Sequence, residues 1–271
     1  MTQKAAIIYD YDGTLARGNI QECSFIPEIG MSREDFWEEV RIKKIEHDAD
    51  QILVYMNLML QKAQAAGIKI TKQELNRHGA NSDLYAGLID LSWFDRMNAF
   101  ASKNGLELEH YIVSSGIYEM IEGSPIFPAF KRVFASQFMY ENNEAMWPSV
   151  SINYTTKTQY LFRINKGIYN VWDNSQINTF MPENERPVQF ENMIFVGDGD
   201  TDIPSMKMMT QKGGHSIAVY DPKCDKSDLG KIHSLISDGR VDFIAPADYT
   251  ENSQIDIAVR GLLGRMARAL N

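Results

Sequence analysis

Ile7-Ile8-Tyr9-Asp10-Tyr11-Asp12-Gly13-Thr14-Leu15 constrains this chain more than any other stretch: a short apolar run ending in two aspartates two positions apart. On an extended chain the side chains at i and i+2 project to one side, so Asp10 and Asp12 are expected to point together. Two carboxylates about 4 Å apart repel by roughly 4 kcal/mol at an effective dielectric near 20, so a cation or a shared proton is expected with them. Ala5 to Tyr9 has the unbroken apolar character of a buried parallel strand, and Gly13 admits a tight turn after it. The expectation is an α/β fold with both acids at a strand's carboxyl end, where open α/β sheets bind ligands.

The pattern recurs at Met193-Ile194-Phe195-Val196-Gly197-Asp198-Gly199-Asp200-Thr201-Asp202. The three alternating acids match the opening of a calcium-binding EF-hand loop. That loop requires Gly where Ile203 stands and Glu where Met209 stands, so it is rejected. Two weaker signals lie between the acidic runs. His110 to Val113 reads as a strand running into Ser114-Ser115-Gly116, which would offer a hydroxyl and free backbone amides to an anion. Thr155-Thr156-Lys157-Thr158 opens a helix expected over 159–165, and a lysine in a helix's first turn opposes the macrodipole, so Lys157 calls for another role. Lys166, before Gly167, suits a helix end.

Residues 17–85 read as a helical insertion. Ser32 with Asp35 and Thr71 with Glu74 are helix-capping pairs, and Phe36, Val40, Ile52, Met56, Met59 and Leu60 recur at roughly helical spacing until Gly67. Arg41, Lys43, Lys44 and His47 form a basic cluster that could hold an anionic substrate, a solvated helix face being the favoured reading. Beyond residue 86 helix and strand alternate: a helix over 93–102, strands over 132–138, 216–220 and 241–244, a polar turn over 141–147 before a second extended piece, and a closing helix over 255–270. His47, His78, His110, His215 and His233 fall in no metal-ligand or nucleophile-base spacing.

Composition narrows the classes. With 44% hydrophobic and 23% charged residues in 271, the chain is an ordinary globular protein of one or two domains. A net charge of -9 disfavours nonspecific binding to nucleic acid or anionic membranes. Only Cys23 and Cys224 are present, and neither a signal-peptide core nor a membrane span is apparent, so a cytoplasmic location is expected. Asn153-Tyr154-Thr155 is then a chance match to a glycosylation sequon. Oligomeric state is not legible.

Carboxylates from two strand ends, a hydroxyl from a third and a lysine suffice for phosphoryl transfer. Mg²⁺ suits the oxygen ligands, one carboxylate could attack phosphorus, and another could protonate the leaving oxygen and activate water. Spacing leaves the order of roles open. Asp10-Tyr11-Asp12-Gly13-Thr14, Ser114, Lys157 and Gly197-Asp198-Gly199-Asp200-Thr201-Asp202 resemble the four ordered motifs of the haloacid dehalogenase superfamily, in its phosphatase branch. The resemblance implies a Rossmann-like parallel sheet formed by 1–16 and 86–271, with 17–85 as a helical C1 cap. It implies Asp10 as nucleophile, Asp12 as general acid/base, Ser114 and the Ser115 amide on the phosphoryl group, and Lys157 neutralising charge. Mg²⁺ would be held by Asp10, the Asp12 carbonyl and Asp198, with Asp202 acting through a metal-bound water or a lysine contact.

Phosphoserine phosphatases are similar capped relatives, and they carry a glutamate for the substrate amine where this chain has Asn19; Glu22 is the acid that could compensate. Arg17, Asn19, Arg41 and Lys44 are the candidates for selecting substrate. The expected partner is a small phosphorylated metabolite. The segment 167–192 is an elaboration of the core without an assigned role. A true dehalogenase would lack Asp12, and a phosphomutase would share every core residue. A receiver-like signalling module would be more compact, and a non-catalytic binding protein would be expected to have lost Asp10, Asp12 or Asp198.

Overall fold

In the computed structural model, which describes residues 3–199, 201–223, 230 and 234–269, seven strands form one sheet in the order β4-β3-β2-β1-β5-β6-β7. The strands are β1 (Gln3–Tyr9), β2 (Leu106–Ile117), β3 (Arg132–Glu141), β4 (Glu144–Val150), β5 (Met193–Gly197), β6 (His215–Tyr220) and β7 (Phe243–Pro246). All pairings are parallel except β3 with the edge strand β4. This is the doubly wound α/β arrangement, and its centre is the apolar run that ends in Asp10. Ala5, Ile7 and Tyr9 face one core while Ala6 and Ile8 face the other, all at most 1% exposed, which is why this strand reads as continuously apolar. From β1 the chain builds β2 and β3 on one side and β5 to β7 on the other. The crevice at the carboxyl ends of these strands is therefore a topological switch point.

The helices are α1 (Phe25–Glu28), α2 (Arg33–Glu46), α3 (Gln51–Ala65), α4 (Lys72–Gly79), α5 (Ser92–Lys103), α6 (Tyr118–Gly123), α7 (Lys157–Lys166), α8 (Asn174–Asn178), α9 (Ile203–Gln211) and a C-terminal helix, Gln254–Arg268. The first five lie between β1 and β2, and α1 to α4 fall within residues 17–85. The Ser32 and Thr71 hydroxyls accept the Asp35 and Glu74 amides at 3.0 and 3.1 Å, capping α2 and α4. Phe36, Val40, Ile52, Met56 and Met59 are buried, and Leu60 is partly buried against them. The chain leaves the sheet and returns at adjacent points: Ala16 bridges Leu84, and the Arg17 and Tyr85 amides donate to the Asp83 and Leu15 carbonyls. None of the described helices is long and apolar enough to cross a membrane.

Several local readings differ from the structure. Ser114-Ser115-Gly116 does not end its strand: pairing of β2 with β3 resumes at Ile117 with Ser136 after an irregularity, because β3 offers partners that turn propensity does not anticipate. The turn expected over 141–147 is only Asn142-Asn143, both at positive φ (48° and 65°), a two-residue hairpin connection that lets β4 begin at Glu144. The last strand is Phe243–Pro246 rather than 241–244. Segment 167–192 is fastened to the end of α7: Lys166 donates to the Ile177 and Thr179 carbonyls, Arg163 to those of Asn170 and Val171, and Asn165 to that of Val188.

Helix α4 meets α6 at backbone contact. A Cβ on Gly79 would lie 1.7 Å from the Met120 carbonyl oxygen, and one on Gly123 would lie 1.9 Å from that of Asn76. Gly123→Ala is expected to lower the unfolding free energy by about 2 kcal/mol or more, read from the denaturant midpoint. Under the sheet, His110 is buried, with Nδ1 3.2 Å from the Tyr9 hydroxyl and Nε2 3.1 Å from Asn98 Oδ1. Burial pushes its pKa down from 6.5 to about 3. The unfolded chain therefore takes up this proton first, and the stability His110 permits at neutral pH is lost as pH falls from 6.5 toward 3, by up to about 1.4 kcal/mol per unit. His110→Gln is expected to flatten this acid dependence when unfolding midpoints near neutrality and near pH ~4.5 are compared.

Candidate active site

Strand register sets the site. Tyr9 is level with Ile112 of β2 and Val196 of β5, so the chain delivers Asp10, Ser114 and Asp198 to one end of three neighbouring strands. The Asp10 amide donates to the Val196 carbonyl at 2.9 Å, extending the pairing to Asp10 itself. One Asp10 oxygen accepts the Tyr11 amide at 2.7 Å, and the other meets the Lys157 ammonium at 2.7 Å. Lys157 also reaches Asp202 Oδ1 at 2.7 Å, and both side chains are fully buried. Lys157 thus occupies the first turn of α7 as a counter-ion to two carboxylates. The turn that leads into α7 is closed by Asn153, whose Oδ1 accepts the Thr155 and Thr156 amides.

Burial alone would lower the Lys157 pKa, but Asp10 and Asp202 outweigh it and hold the ammonium above its usual range. Burial pushes the Asp202 carboxyl up, against the pull of Lys157. The Asp12 carboxyl is pushed up to about 8, first by desolvation and then by the Asp10 charge beside it, despite the Ile20 amide donating to Oδ1 at 2.8 Å.

Carboxylate oxygens of Asp10, Asp198 and Asp202 all lie within 4.8 Å of one another. At that separation each pair of charges repels by about 3 kcal/mol at an effective dielectric of 20, and Lys157 offsets only part of the sum. Asp202 Oδ2 is buried with no hydrogen-bond partner. An all-oxygen set containing an orphaned anionic acceptor fits a hard divalent cation such as Mg²⁺. The chain is shaped to this crowding: a Cβ on Gly13 (φ +72°) would lie 2.4 Å from Asp198 Oδ2, and one on Gly197 would lie 2.1 Å from Asp202 Oδ2.

Ser114 Oγ accepts the Gly116 amide at 3.0 Å, while Ser115 Oγ is buried without a partner beside the cavity. The cavity, of about 240 Å³, is lined on the sheet side by Asp10, Asp12, Gly13, Ser114, Ser115 and Asp198. Its opposite wall includes Asn19, Gln21, Trp37, Gln51, Tyr55 and Tyr154. Tyr55 donates to the Ser115 carbonyl at 2.6 Å, and Asp50 accepts from Asn153 at 2.6 Å, so α3 is fastened over the carboxylates.

Of the residues proposed from sequence to select substrate, only Asn19 reaches the cavity. Arg17 pairs with Asp83 and Asp221, Arg41 with Glu38, and Lys44 donates to Gln51 Oε1 without lining the cavity itself. Glu22 is fully engaged by Asn19, Trp37 and Arg33. Gln21, Trp37, Gln51, Tyr55 and Tyr154 were not legible as site residues; the one local hint is Tyr55, a hydroxyl inside the apolar stripe of α3. His78 adjoins Glu28 and Glu74 in space, but Arg77 pairs with both acids at 2.8 Å, making a surface ion-pair cluster. Asp200, Cys224 and His233 lie outside the described residues.

The family model for haloacid dehalogenase-like hydrolase matches residues 7–207. An uncharacterized protein of Borreliella burgdorferi is 27% identical over 278 residues, covering 92% of this chain and 93% of that one. A HAD family hydrolase from Salmonella enterica serovar Typhi superposes with TM-score 0.56 at 16% identity, covering 96% of this chain and 71% of that one. A substrate-bound phosphoserine phosphatase superposes with TM-score 0.53 at 15% identity, covering 90% and 93%. A probable phosphoserine phosphatase from Vibrio cholerae gives TM-score 0.55 at 12% identity, covering 100% and 68%.

Replacing Lys157 by Met leaves the buried carboxylates without their cation. Lys157→Met is expected to destabilise the fold by about 3–5 kcal/mol, a fall in melting temperature of roughly 10 °C by calorimetry.

Proposed function

The chain belongs to the haloacid dehalogenase-like hydrolases, and from that premise we propose that it is a Mg²⁺-dependent phosphatase acting on a small phosphate monoester through an aspartyl-phosphate on Asp10. The observation that carries this reading is the division of labour between two neighbouring carboxyls. An Asp10 oxygen meets the Lys157 ammonium at 2.7 Å, whereas desolvation and the neighbouring Asp10 charge push the Asp12 carboxyl up to about 8. An ion-paired carboxylate and a neighbouring carboxyl whose pKa is raised suit nucleophile and acid respectively.

In the proposed reaction the Asp10 carboxylate forms a bond to phosphorus as the bond to the alcohol oxygen breaks, and Asp12 gives its proton to the departing oxygen. Asp12, now a carboxylate, takes a proton from the water that attacks the phosphoenzyme; phosphate leaves and Asp10 is regenerated. Ser114 and Ser115 supply hydroxyl and amide donors to the phosphoryl oxygens, and Lys157 balances their charge. Asp10, Asp198 and the Asp12 carbonyl, with Asp202 alongside, would hold Mg²⁺, which neutralises charge between the carboxylates and the phosphoryl group. Residues 17–85 would act as the cap, excluding water from the phosphoenzyme. The substrate would be a small metabolite, because the cavity of about 240 Å³ lies below the usual range for drug-sized ligands.

Phosphate release from a panel of small monoesters tests this, with and without Mg²⁺, for the intact protein and Asp10→Asn. Metal-dependent turnover that falls at least about a thousandfold in the variant is expected. Acetyl phosphate leaving a stable phosphoprotein, with no ester hydrolysed, would replace the hydrolase reading by a signalling one.

A further inference from the structure

The cavity wall facing the carboxylates carries no charge of its own. Among the described residues that line it, Asn19, Gln21, Gln51, Trp37, Tyr55 and Tyr154 supply amides and aromatic rings; no lysine, arginine, histidine, aspartate or glutamate stands on that side. The charged groups bonded to this wall or beside it are not among the residues that line the cavity, and they are engaged. Glu22 accepts from the Trp37 indole at 2.6 Å and from the Asn19 amide at 2.5 Å. Lys44 donates to Gln51 Oε1, and Asp50 is held by Asn153, Ser151 and the amides of Ile52 and Leu53. A charged group on the alcohol side of a substrate would lose water there without gaining a counter-ion.

Gln21 adds a positive requirement. It is 2% exposed, it lines the cavity, and its Oε1 has no hydrogen-bond partner. A buried amide oxygen without a donor is rare in native proteins and costly, so a donor from the ligand is the natural complement. The Trp37 and Tyr55 rings stand 5.7 Å apart at 69°, an apolar corner for a carbon skeleton beside the amides. Such a corner also suits a quaternary ammonium, but that group has no N–H or O–H to give to Gln21.

On the phosphatase reading, we infer that the substrate's alcohol portion is uncharged and carries hydroxyls, a polyol or small-sugar monophosphate, and that Gln21 is a specificity-determining residue. This separates the chain from the phosphoserine phosphatases it resembles in fold, because an amino-acid zwitterion would meet neither an acid nor a base on this wall.

The test is kcat/KM for the full chain with Mg²⁺ on glycerol phosphate and glucose phosphate, against phosphoserine, phosphoglycolate, phosphoethanolamine and phosphocholine. p-Nitrophenyl phosphate serves as a reference for phosphatase activity itself. At least one of the two neutral esters is expected to exceed every charged one by about tenfold or more, a difference of about 1.4 kcal/mol. A charged ester that equals or exceeds both overturns the inference while leaving the phosphatase reading intact; no hydrolysis of any compound, the reference included, overturns the phosphatase reading first. In Gln21→Glu the ratio of phosphoethanolamine to glycerol phosphate turnover is expected to rise about tenfold. A ratio unchanged in the folded variant removes Gln21 from the selectivity, and the ranking for the unsubstituted chain stands as a separate test if the variant does not fold.

Discussion

The buried Lys157 ammonium, 2.7 Å from both Asp10 and Asp202, is the interaction on which the rest of the site depends. Without it three carboxylates at the ends of β1 and β5 would repel within a space almost closed to water. Lys157 ion-pairs with Asp10, while Asp12, two residues away and without such a partner, is pushed toward its neutral form by desolvation and the Asp10 charge. Two identical side chains thus sit in different electrostatic surroundings. The lysine is itself held by local structure: its amide donates to the Asn153 carbonyl, the Asn153 side chain closes the turn ahead of it, and α7 continues into the core through Leu161 and Ile164.

The sheet and the inserted helices contribute different things to the cavity. The sheet supplies charge, because adjacent strand ends place Asp10, Asp12 and Asp198 together. The insertion supplies a neutral wall, because α2 and α3 turn Trp37, Gln51 and Tyr55 inward while their charged residues pair outward or behind. The two halves are fastened by Tyr55 to the Ser115 carbonyl and by Asp50 to Asn153, so the tyrosine that shapes the wall also contacts the strand that carries Ser114. The backbone contacts of Gly79 and Gly123 anchor the far end of the insertion, α4, on α6.

Much of this was legible in the sequence because it rests on local rules. An apolar run ending in alternating acids reads as a buried strand delivering carboxylates, and β1 and β5 are such strands. The misplacement of a lysine at a helix start marked Lys157, and its burial between two acids supplies the reason. The capping pairs at Ser32 and Thr71 located two helices of the insertion. Where local rules misled, a distant partner decided: Ser114-Ser115-Gly116 has turn composition yet stays in β2, since β3 pairs with it again at Ile117.

The sequence alone therefore determined the α/β class, the order of the acidic strand ends and the presence of a helical insertion, because periodicity and capping act within a few residues. Only the tertiary structure decided the wall of the cavity. Gln51 and Tyr154, in hydrogen-bond contact on that wall, are 103 positions apart, and Gln21 lies in a single 3₁₀ turn, Ile20–Glu22, too short to show periodicity. It also decided that Arg17, Arg41 and Lys44 stand outside the cavity, because which face of a helix meets a partner depends on how the insertion folds back over the sheet. That packing is set by long-range contacts, to which no short stretch of sequence is a guide.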